Sequence, residues 1–554
     1  MKTYNLFRTL FACACLAVLS GCGEFLDELP DNRAELDTTD KIYKLLVSAY
    51  PARTYVRMCE LSSDNIDDQG EDSPHSWRIL EQISYWTDIV DAENESNQQI
   101  WEKYYSAISH ANTAIEAIEK LGSPKELLPA RGEALMCRAY AHFCLSMIYC
   151  LPYHPEKASE YLGIPYLTAP ETTLDPYYER GTLQNVYEHI AADIEEGLPL
   201  LNDNIYSVPK YHFNRSAAYA FAARFYLYYM KWERVIECAD EVLGSNPAIV
   251  LRNWDDARKV EWGKQALDYI DPVHKFNLML IPIISGNGNI FNAWSSSGAR
   301  FTHTYRISKH ETYRAKRPMG GPFDRFGSKS LDRVYIYQPY IFDTWEKIYM
   351  PKWPAQWEVT NLVTGAGYGR STMVAFTTDE TLLCRAEAYI HLKDYDAAAA
   401  DLDVWNCSYF KVGQNGIVHL TRERINEVYG DPSSESYIPE YTAEAPTSRK
   451  TLHPHGFEIE AGEQENMIQC LLFCRRIQTI ADGLRWADVK RYGIVVDRFD
   501  LTDYEDSTTS GFRVTTTLDE LDLRRAIQLP QDVITAGLTP NPRNAEEPNH
   551  PFRQ

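Results

Sequence analysis

Asp379 to Trp405 reads DETLLCRAEAYIHLKDYDAAAADLDVW, and its spacing writes out a helical hairpin. Leu382, Leu383, Ala386, Tyr389 and Ile390 share one helical stripe; after Lys393 and Asp394 a second stripe runs Tyr395, Ala398, Ala399, Leu402 and Trp405. Two amphipathic helices joined this tightly must lie antiparallel. The pattern occurs earlier as Tyr219, Ala223, Tyr226 and Leu227, then Trp232, Val235, Ile236, Ala239 and Val242, each matched by an apolar residue 163 positions later. A gapless match of this kind is an internal repeat.

The hairpin resembles a tetratricopeptide unit, with an aromatic turn residue (Trp232, Tyr395) and small residues where the helices touch. The usual turn glycine is absent; Lys231 and Asp394 stand near its place. Such hairpins cannot bury their apolar face alone and need stacked neighbours, so a helical scaffold is expected.

The 554 residues are 44% hydrophobic and 24% charged, ordinary values for a globular chain. A net charge of -23 argues against a surface that tracks nucleic-acid phosphates. Aromatics make up 12%, with Tyr the commonest at 37; Tyr and Trp tolerate half-wet positions and suit exposed recognition platforms as well as core. The 12 Cys form no C-x-x-C, and most lie within helical patterns, as Cys137, Cys144, Cys470 and Cys474 do, so buried thiols are expected rather than a zinc ribbon. No cofactor motif is present.

Lys2 and Arg8 precede a short apolar run, Leu10 to Leu19, with the pattern of an export signal. It ends in Leu19-Ser20-Gly21-Cys22, which resembles a bacterial lipobox, so residues 1–21 are expected to be cleaved and Cys22 lipidated. An ordinary cleaved signal with an incidental cysteine is the competing reading. The acidic stretch Glu24 to Asp31 resembles the surface-export signal of Bacteroidetes lipoproteins, and 22–35 reads as a tether. Anchoring by acyl chains needs no transmembrane helix.

From residue 36 a single domain is expected. Thr38 caps a helix whose face is Ile42, Leu45, Leu46 and Ala49. Helix pairs are placed around 98–151, 214–245 and 378–406, and a loop layer around 59–97, 246–377 and 409–465. Asp64, Asp67 and Asp68 miss the calcium-loop spacing and read as a solvated acidic loop. Short strands are expected near Ile290–Ser295, Arg300–Tyr305 and Tyr335–Tyr337, a Pro-punctuated loop at Met350–Trp357, and a turn at His453–Gly456, where two His lack a third metal ligand.

Glu133-Ala134, Arg138-Ala139-Tyr140, Phe143 and Gly163-Ile164-Pro165-Tyr166 resemble segments of the SusD/RagB family of outer-membrane lipoproteins. Arg215, Ala218, Ala223 and Arg224 follow its R-x-x-A-x-x-x-x-A-R helix, and Leu383 to Ala388 its L-x-R-A-E-A helix. Arg475-Arg476-Ile477 and Asp482 to Gly493 are close to its E-R-R-x-E-x-x-x-E-G-x-R-W-x-D-L-x-R-x-G pattern, with Cys474, Gln478 and Asp482 replacing glutamates. Ile527 to Pro530 and Asn541-Pro542 resemble its closing segments. The fold implied is mainly α, a SusD-like scaffold of tetratricopeptide-like hairpins with a large irregular loop layer containing short β-strands. The resemblance also implies glycan capture through a loop aromatic arc, a SusC-like TonB-dependent transporter as partner, and a lipid-anchored position on the outer-membrane surface; the RagB branch implies peptides instead.

A sugar offers apolar C–H faces and hydroxyl edges, so its site needs exposed aromatic planes beside polar donors and acceptors. Trp77 with Arg78, Tyr85 and Trp86 with Asn94 and Asn97, Trp294 after Asn292, Trp345, Trp353 and Trp357 are the ligand-binding candidates, although each alone also reads as a packed loop aromatic. A secreted glycoside hydrolase would need a carboxylate pair, for which Glu93 with Glu95 or Asp64 with Asp67 are the nominees. No nucleophile, metalloprotease or nucleotide fingerprint appears, so a binder is expected rather than an enzyme. For the Arg485-Trp486-Ala487-Asp488 run a structural role is expected, with Asp488 pairing to Arg485 or Arg491 and Trp486 turned inward.

Overall fold

The computed structural model describes residues 36–554 apart from 74, 93–94, 172–176, 258, 262, 292–298, 321–334, 337–350, 412–416, 502–512 and 544–554. Cys22, Asn94, Trp294 and Trp345 therefore lie outside the described residues, as do the export and tether segments. The scaffold is mainly helical, and its buried apolar residues from Ile42 to Leu529 form one cluster.

Both hairpins are present, Arg215–Tyr228 with Trp232–Leu243 and Thr378–His391 with Tyr395–Tyr409. Their turns are built alike. Met230 and Lys393, again 163 apart, take left-handed φ values of 59° and 63°, where a tetratricopeptide glycine would sit. The N–H groups of Lys231 and Asp394 close each turn onto Tyr226 and Tyr389 carbonyls, both at 2.9 Å. Two non-glycine residues thus carry the positive φ, which disfavours them but leaves the closing bonds intact. The hairpins pack on each other: Trp232 stacks on His391 at 4.0 Å, and Arg224 holds Glu380 with two bonds of 3.1 Å.

On the N-terminal side, Thr38 caps Thr39–Leu46 through the Lys41 N–H, and Asn97–Lys120 pairs with Leu128–Tyr149. The second of these is apolar nearly all round and buried from Gly132 to Tyr149, as its sequence requires. Arg138 of this helix makes a two-bond pair with Asp193 at 2.7 and 2.6 Å. Tyr166, in the Gly163–Tyr166 segment, bonds the same Asp193 at 2.6 Å and stacks on His142 at 3.8 Å. Gly163 passes so close to Thr182 that a Cβ would meet its carbonyl oxygen at 2.6 Å. The C-terminal segment closes the body: Ile527 N–H reaches the Ile148 carbonyl, and Asn541 the Tyr149 carbonyl.

The loop layer departs from expectation in three places. A three-stranded antiparallel sheet of Asn277–Ile284, Ala366–Thr377 and Gln356–Asn361 occupies it, where only short strands were expected. Residues Asn287–Phe291 are a short helix, whereas Phe301–Thr302 and Tyr335–Ile336 are short strands as expected. The 59–97 region is not a loop layer: it holds the end of the Val56–Ser62 helix, the Arg78–Ser84 helix and a short strand, and much of it is buried.

The reason lies in charge pairing. Asp64, Asp67 and Asp68, expected in water, are buried against arginines. Arg485 grips Asp64 at 2.8 and 2.9 Å, and Arg306 grips Asp67 with two bonds of 2.8 Å. Arg300 holds Asp68 with two bonds of 2.7 Å. Arg476 and Lys450 lie beside Asp64 at 3.4 and 3.8 Å and reach Glu311 at 3.0 and 2.8 Å, while Arg306 also meets Glu311 at 2.9 Å. Burial alone would push the Asp64 and Glu311 carboxyls up, but these cations outweigh it and hold both well below the ordinary carboxylate range.

A second cluster sits under the Arg485–Arg491 helix. Asp488 pairs with Arg475 at 3.0 Å, with Arg491 further off at 3.5 Å, while Arg485 is committed to Asp64. Trp486 is fully buried. Glu387 accepts from Tyr492 at 2.6 Å and from Arg491 at 2.5 Å; burial raises its pKa, yet Arg491 and Arg475 bring it down to about 2. The replaced glutamates find local partners: Gln478 accepts from Trp405 Nε1 at 2.9 Å, and Asp482 pairs with Lys352 at 2.7 Å. Among the described cysteines all but Cys407 are buried thiols.

Two measurements follow. Asp64→Ala leaves buried cations uncompensated and is expected to cost about 3–5 kcal/mol in urea unfolding, against under about 0.5 kcal/mol for exposed Lys44→Ala. Acid should also destabilise. Burial lowers His142 and His303 to about 3 and His310 and His391 to about 4 from 6.5, so the unfolded chain binds more protons in that window. Stability from these histidines is therefore lost as pH falls from about 6.5 towards 3, and that from Glu387 as pH falls from 4.5 towards 2. Glu60, raised by burial to about 7, opposes this by one proton between 4.5 and 7, too little to reverse it. Thermal midpoints measured across pH 3–7 should fall on the acid side.

Candidate functional site

Among the described residues, two of the aromatic candidates face solvent, and each is fixed by the elements beneath it. Trp77 precedes the Arg78–Ser84 helix and is 43% exposed. Its indole meets the His75 ring edge-on at 5.3 Å, and Arg78 beside it is exposed. His75 is tied down by a backbone bond from Arg300 N–H and a bridge to Ala299, so the aromatic pair sits on the same segment that Asp68 anchors.

Trp357 lies on the Gln356–Asn361 strand and is 61% exposed. Its partner across the ladder is Gly369, and Gly367 follows on the same face. A Cβ at Gly367 would meet Trp357 Nε1 at 2.9 Å, so the glycine leaves room for the indole to lie across the neighbouring strand. The indole N–H donates to the Gly365 carbonyl at 3.3 Å, which leaves a flat aromatic surface turned to solvent. Glu358 pairs with Arg370 at 2.7 Å, and a hydrogen bond to Glu358 pushes the Tyr368 phenol upward.

This hairpin has a rigid base. Ser285 and Gly286, at the end of the first strand, bond the buried Glu95 carboxylate at 2.5 and 2.9 Å, and Arg57 pairs with the same carboxylate. Arg53 donates to the Ile284 carbonyl at 2.6 Å. Beyond Trp357 the strand carries Val359 and ends in a tip where Leu362 and Val363 are 93% and 95% exposed. The turn is set by Asn361, whose side chain accepts from the N–H groups of Val363 and Thr364, and by Gly365 at φ 69°. Sequence reading missed the hairpin and its apolar tip, although Asn361 and Gly365 between alternating residues were the available signal.

Four candidates belong to the interior. Tyr85 is buried with its hydroxyl donating to Asp68 at 2.6 Å, and Trp86 is buried with its indole N–H on the Ser62 carbonyl at 2.8 Å. Trp353 is buried with its N–H on the Ala481 carbonyl at 2.8 Å, because Lys352 beside it docks the Pro-punctuated loop onto Gln478 and Asp482. Asn97 opens the Asn97–Lys120 helix, buried against Gln528. Each spends its polar atom on the protein, so these four brace the layer and do not form a ligand face in this conformation.

The carboxylates nominated for hydrolysis are likewise consumed. Asp64, Asp67 and Glu95 are buried in arginine pairs, and Glu93 lies outside the described residues. Among the described residues, the cavity lined by Arg252, Trp254, Tyr269, Tyr313, Lys352 and Tyr409 measures about 20 Å³, room for a single water.

Residues 24–227 match the SusD-like family described as "Starch-binding associating with outer membrane". A curated relative, a SusD-like protein of Formosa agariphila, is 24% identical over 272 residues, which cover 46% of this chain and about half (49%) of that protein. A putative sugar binding protein of Bacteroides vulgatus shares the fold with a TM-score of 0.61 at 17% identity, over 92% of this chain and 99% of the other. A SusD superfamily protein of Bacteroides thetaiotaomicron does so with a TM-score of 0.59 at 16% identity, over 91% and 100%. Residues 24–227 thus resemble the SusD-like family in sequence, and the chain shares the fold of these two solved structures. Among the described residues, no helix is long and apolar enough to cross a membrane.

Proposed function

We propose that this protein is a non-enzymatic glycan-binding lipoprotein of the outer-membrane surface, anchored through Cys22, with residues 36–554 as one SusD-like unit. It captures an oligosaccharide or polysaccharide and passes it to a SusC-like TonB-dependent transporter. The observation that carries this reading is Trp357, an indole laid flat over a glycine strand with 61% of its surface in solvent, on a hairpin whose base is held by the buried Arg57–Glu95 pair. A preorganised aromatic plane stacks on a sugar face without an ordering cost at the moment of binding. Trp77 with Arg78 supplies a second aromatic and a bidentate donor.

Likeness to a starch-binding family and to a sugar binding protein supports the ligand class. Burial of the nominated carboxylates in ion pairs supports binding without cleavage. Stacking on open surface gives modest affinity, which suffices when ligand is handed to a transporter.

Trp357→Ala is expected to weaken glycan binding at least tenfold, about 1.4 kcal/mol, in calorimetry, with a smaller loss for Trp77→Ala and an unchanged thermal midpoint for both. Unaltered affinity in both variants would remove these residues from the site. Extraction from the native membrane in mild detergent is expected to bring down a large β-barrel protein; recovery of the chain alone would contradict the transporter partnership.

A further inference from the structure

Cys407 is the exposed thiol among the described cysteines, and it does not stand alone. It lies four residues after Asp403 on the Tyr395–Tyr409 helix, so both side chains leave the same face. His419, from the chain that follows, is brought over this face. Asn406 donates to the Val418 carbonyl at 2.9 Å, and Leu420 N–H donates to Asp403 Oδ1 at 2.8 Å, which fixes the residues on both sides of His419. His419 Nδ1 then sits 2.7 Å from Asp403 Oδ2 and 3.9 Å from Cys407 Sγ, and one ligand atom of each residue lies within 4.8 Å of the others.

We propose that Asp403, Cys407 and His419 form a surface site for Zn²⁺. Tetrahedral zinc with bonds of about 2.3 Å to sulfur and 2.0–2.1 Å to nitrogen and oxygen requires ligand separations of about 3.6 Å for S···N and about 3.3 Å for N···O. The observed 3.9 and 2.7 Å differ from these by about 0.3 and about 0.6 Å, adjustments within reach of two exposed side chains and one half-buried one. Carboxylate, thiolate and imidazole form a mixed O/S/N set suited to this borderline-soft ion, and the fourth position remains for water.

Two other readings fit less well. A nucleophilic cysteine relay needs the thiol on one imidazole nitrogen and the acid on the other, whereas here both partners face Nδ1. Convergence on one nitrogen is the geometry of three ligands about a common centre. A plain surface ion pair between Asp403 and His419 accounts for neither the position nor the exposure of Cys407. Burial of the sulfur and the nearby Asp403 push the thiol up to about 11, so without metal it stays protonated at neutral pH. Zinc binding therefore forms the Zn–S bond as the S–H bond breaks, and the thiol proton passes to solvent.

The sequence held no spacing cue, since the ligands come as D-x-x-x-C on one helix and a histidine twelve residues after the cysteine. The site is independent of glycan capture. Its test uses the full chain, stripped with chelator and kept reduced, titrated with Zn²⁺ against a chromophoric competitor and with Co²⁺ followed by absorbance. One Zn²⁺ per chain and a thiolate-to-Co²⁺ charge-transfer band are expected. Cys407→Ser should abolish the band, and both Cys407→Ser and His419→Ala should weaken Zn²⁺ at least tenfold while leaving the metal-free melting midpoint in place. Absence of stoichiometric Zn²⁺ binding by the unmutated chain, or affinity unchanged in both variants, would overturn the proposal.

Discussion

Asp64, Asp67 and Glu311 meet Arg306, Lys450, Arg476 and Arg485 inside the protein, and each stretch of the chain that this cluster joins is far from the others in sequence. The acids near residue 64 come from the N-terminal segment, Glu311 from the middle layer, and the cations near 476 and 485 from the C-terminal helices. Removing any one of them strands a buried charge, which is costlier than the pair is worth. The cluster therefore ties the N-terminal segment, the middle layer and the C-terminal helices together. It explains why an acidic, weakly periodic segment between residues 59 and 97 is buried, and a separate buried pair, Arg57 with Glu95, seats the sheet carrying Trp357.

The scaffold was legible because helical period and repeat spacing are local. The hairpins at 215–243 and 378–409 follow from their apolar stripes, and even the unusual left-handed residues recur at equivalent positions, Met230 and Lys393. The repeat does not reveal that these residues, rather than Lys231 and Asp394, absorb the turn. The inward position of Trp486 was also readable. Its neighbours were readable only in part: the expected Arg491 lies 3.5 Å from Asp488, but the nearer partner of Asp488 is Arg475 and Arg485 chose Asp64, since partners separated by 13 and 421 residues are set by tertiary packing and leave no periodic trace.

The loop aromatics show the same divide. Composition cannot tell an aromatic that stacks on a ligand from one that plugs a loop, because both are Trp or Tyr beside polar residues. What separates them is the polar atom. Tyr85, Trp86 and Trp353 spend theirs on Asp68, Ser62 and Ala481 within the interior. Trp357 satisfies its indole N–H at the edge of its own hairpin and keeps its surface free. Rigid seating and an open aromatic plane are what a recognition surface needs.

The central claim is that a charge-locked helical body presents an outward aromatic surface to glycans without acting on them. Calorimetry of the soluble chain against plant, host and microbial polysaccharides, with peptides alongside and reducing ends assayed in the same samples, tests it most directly. The account predicts saturable binding to one glycan class with no new reducing ends; binding confined to peptides, or release of shorter sugars, would contradict it.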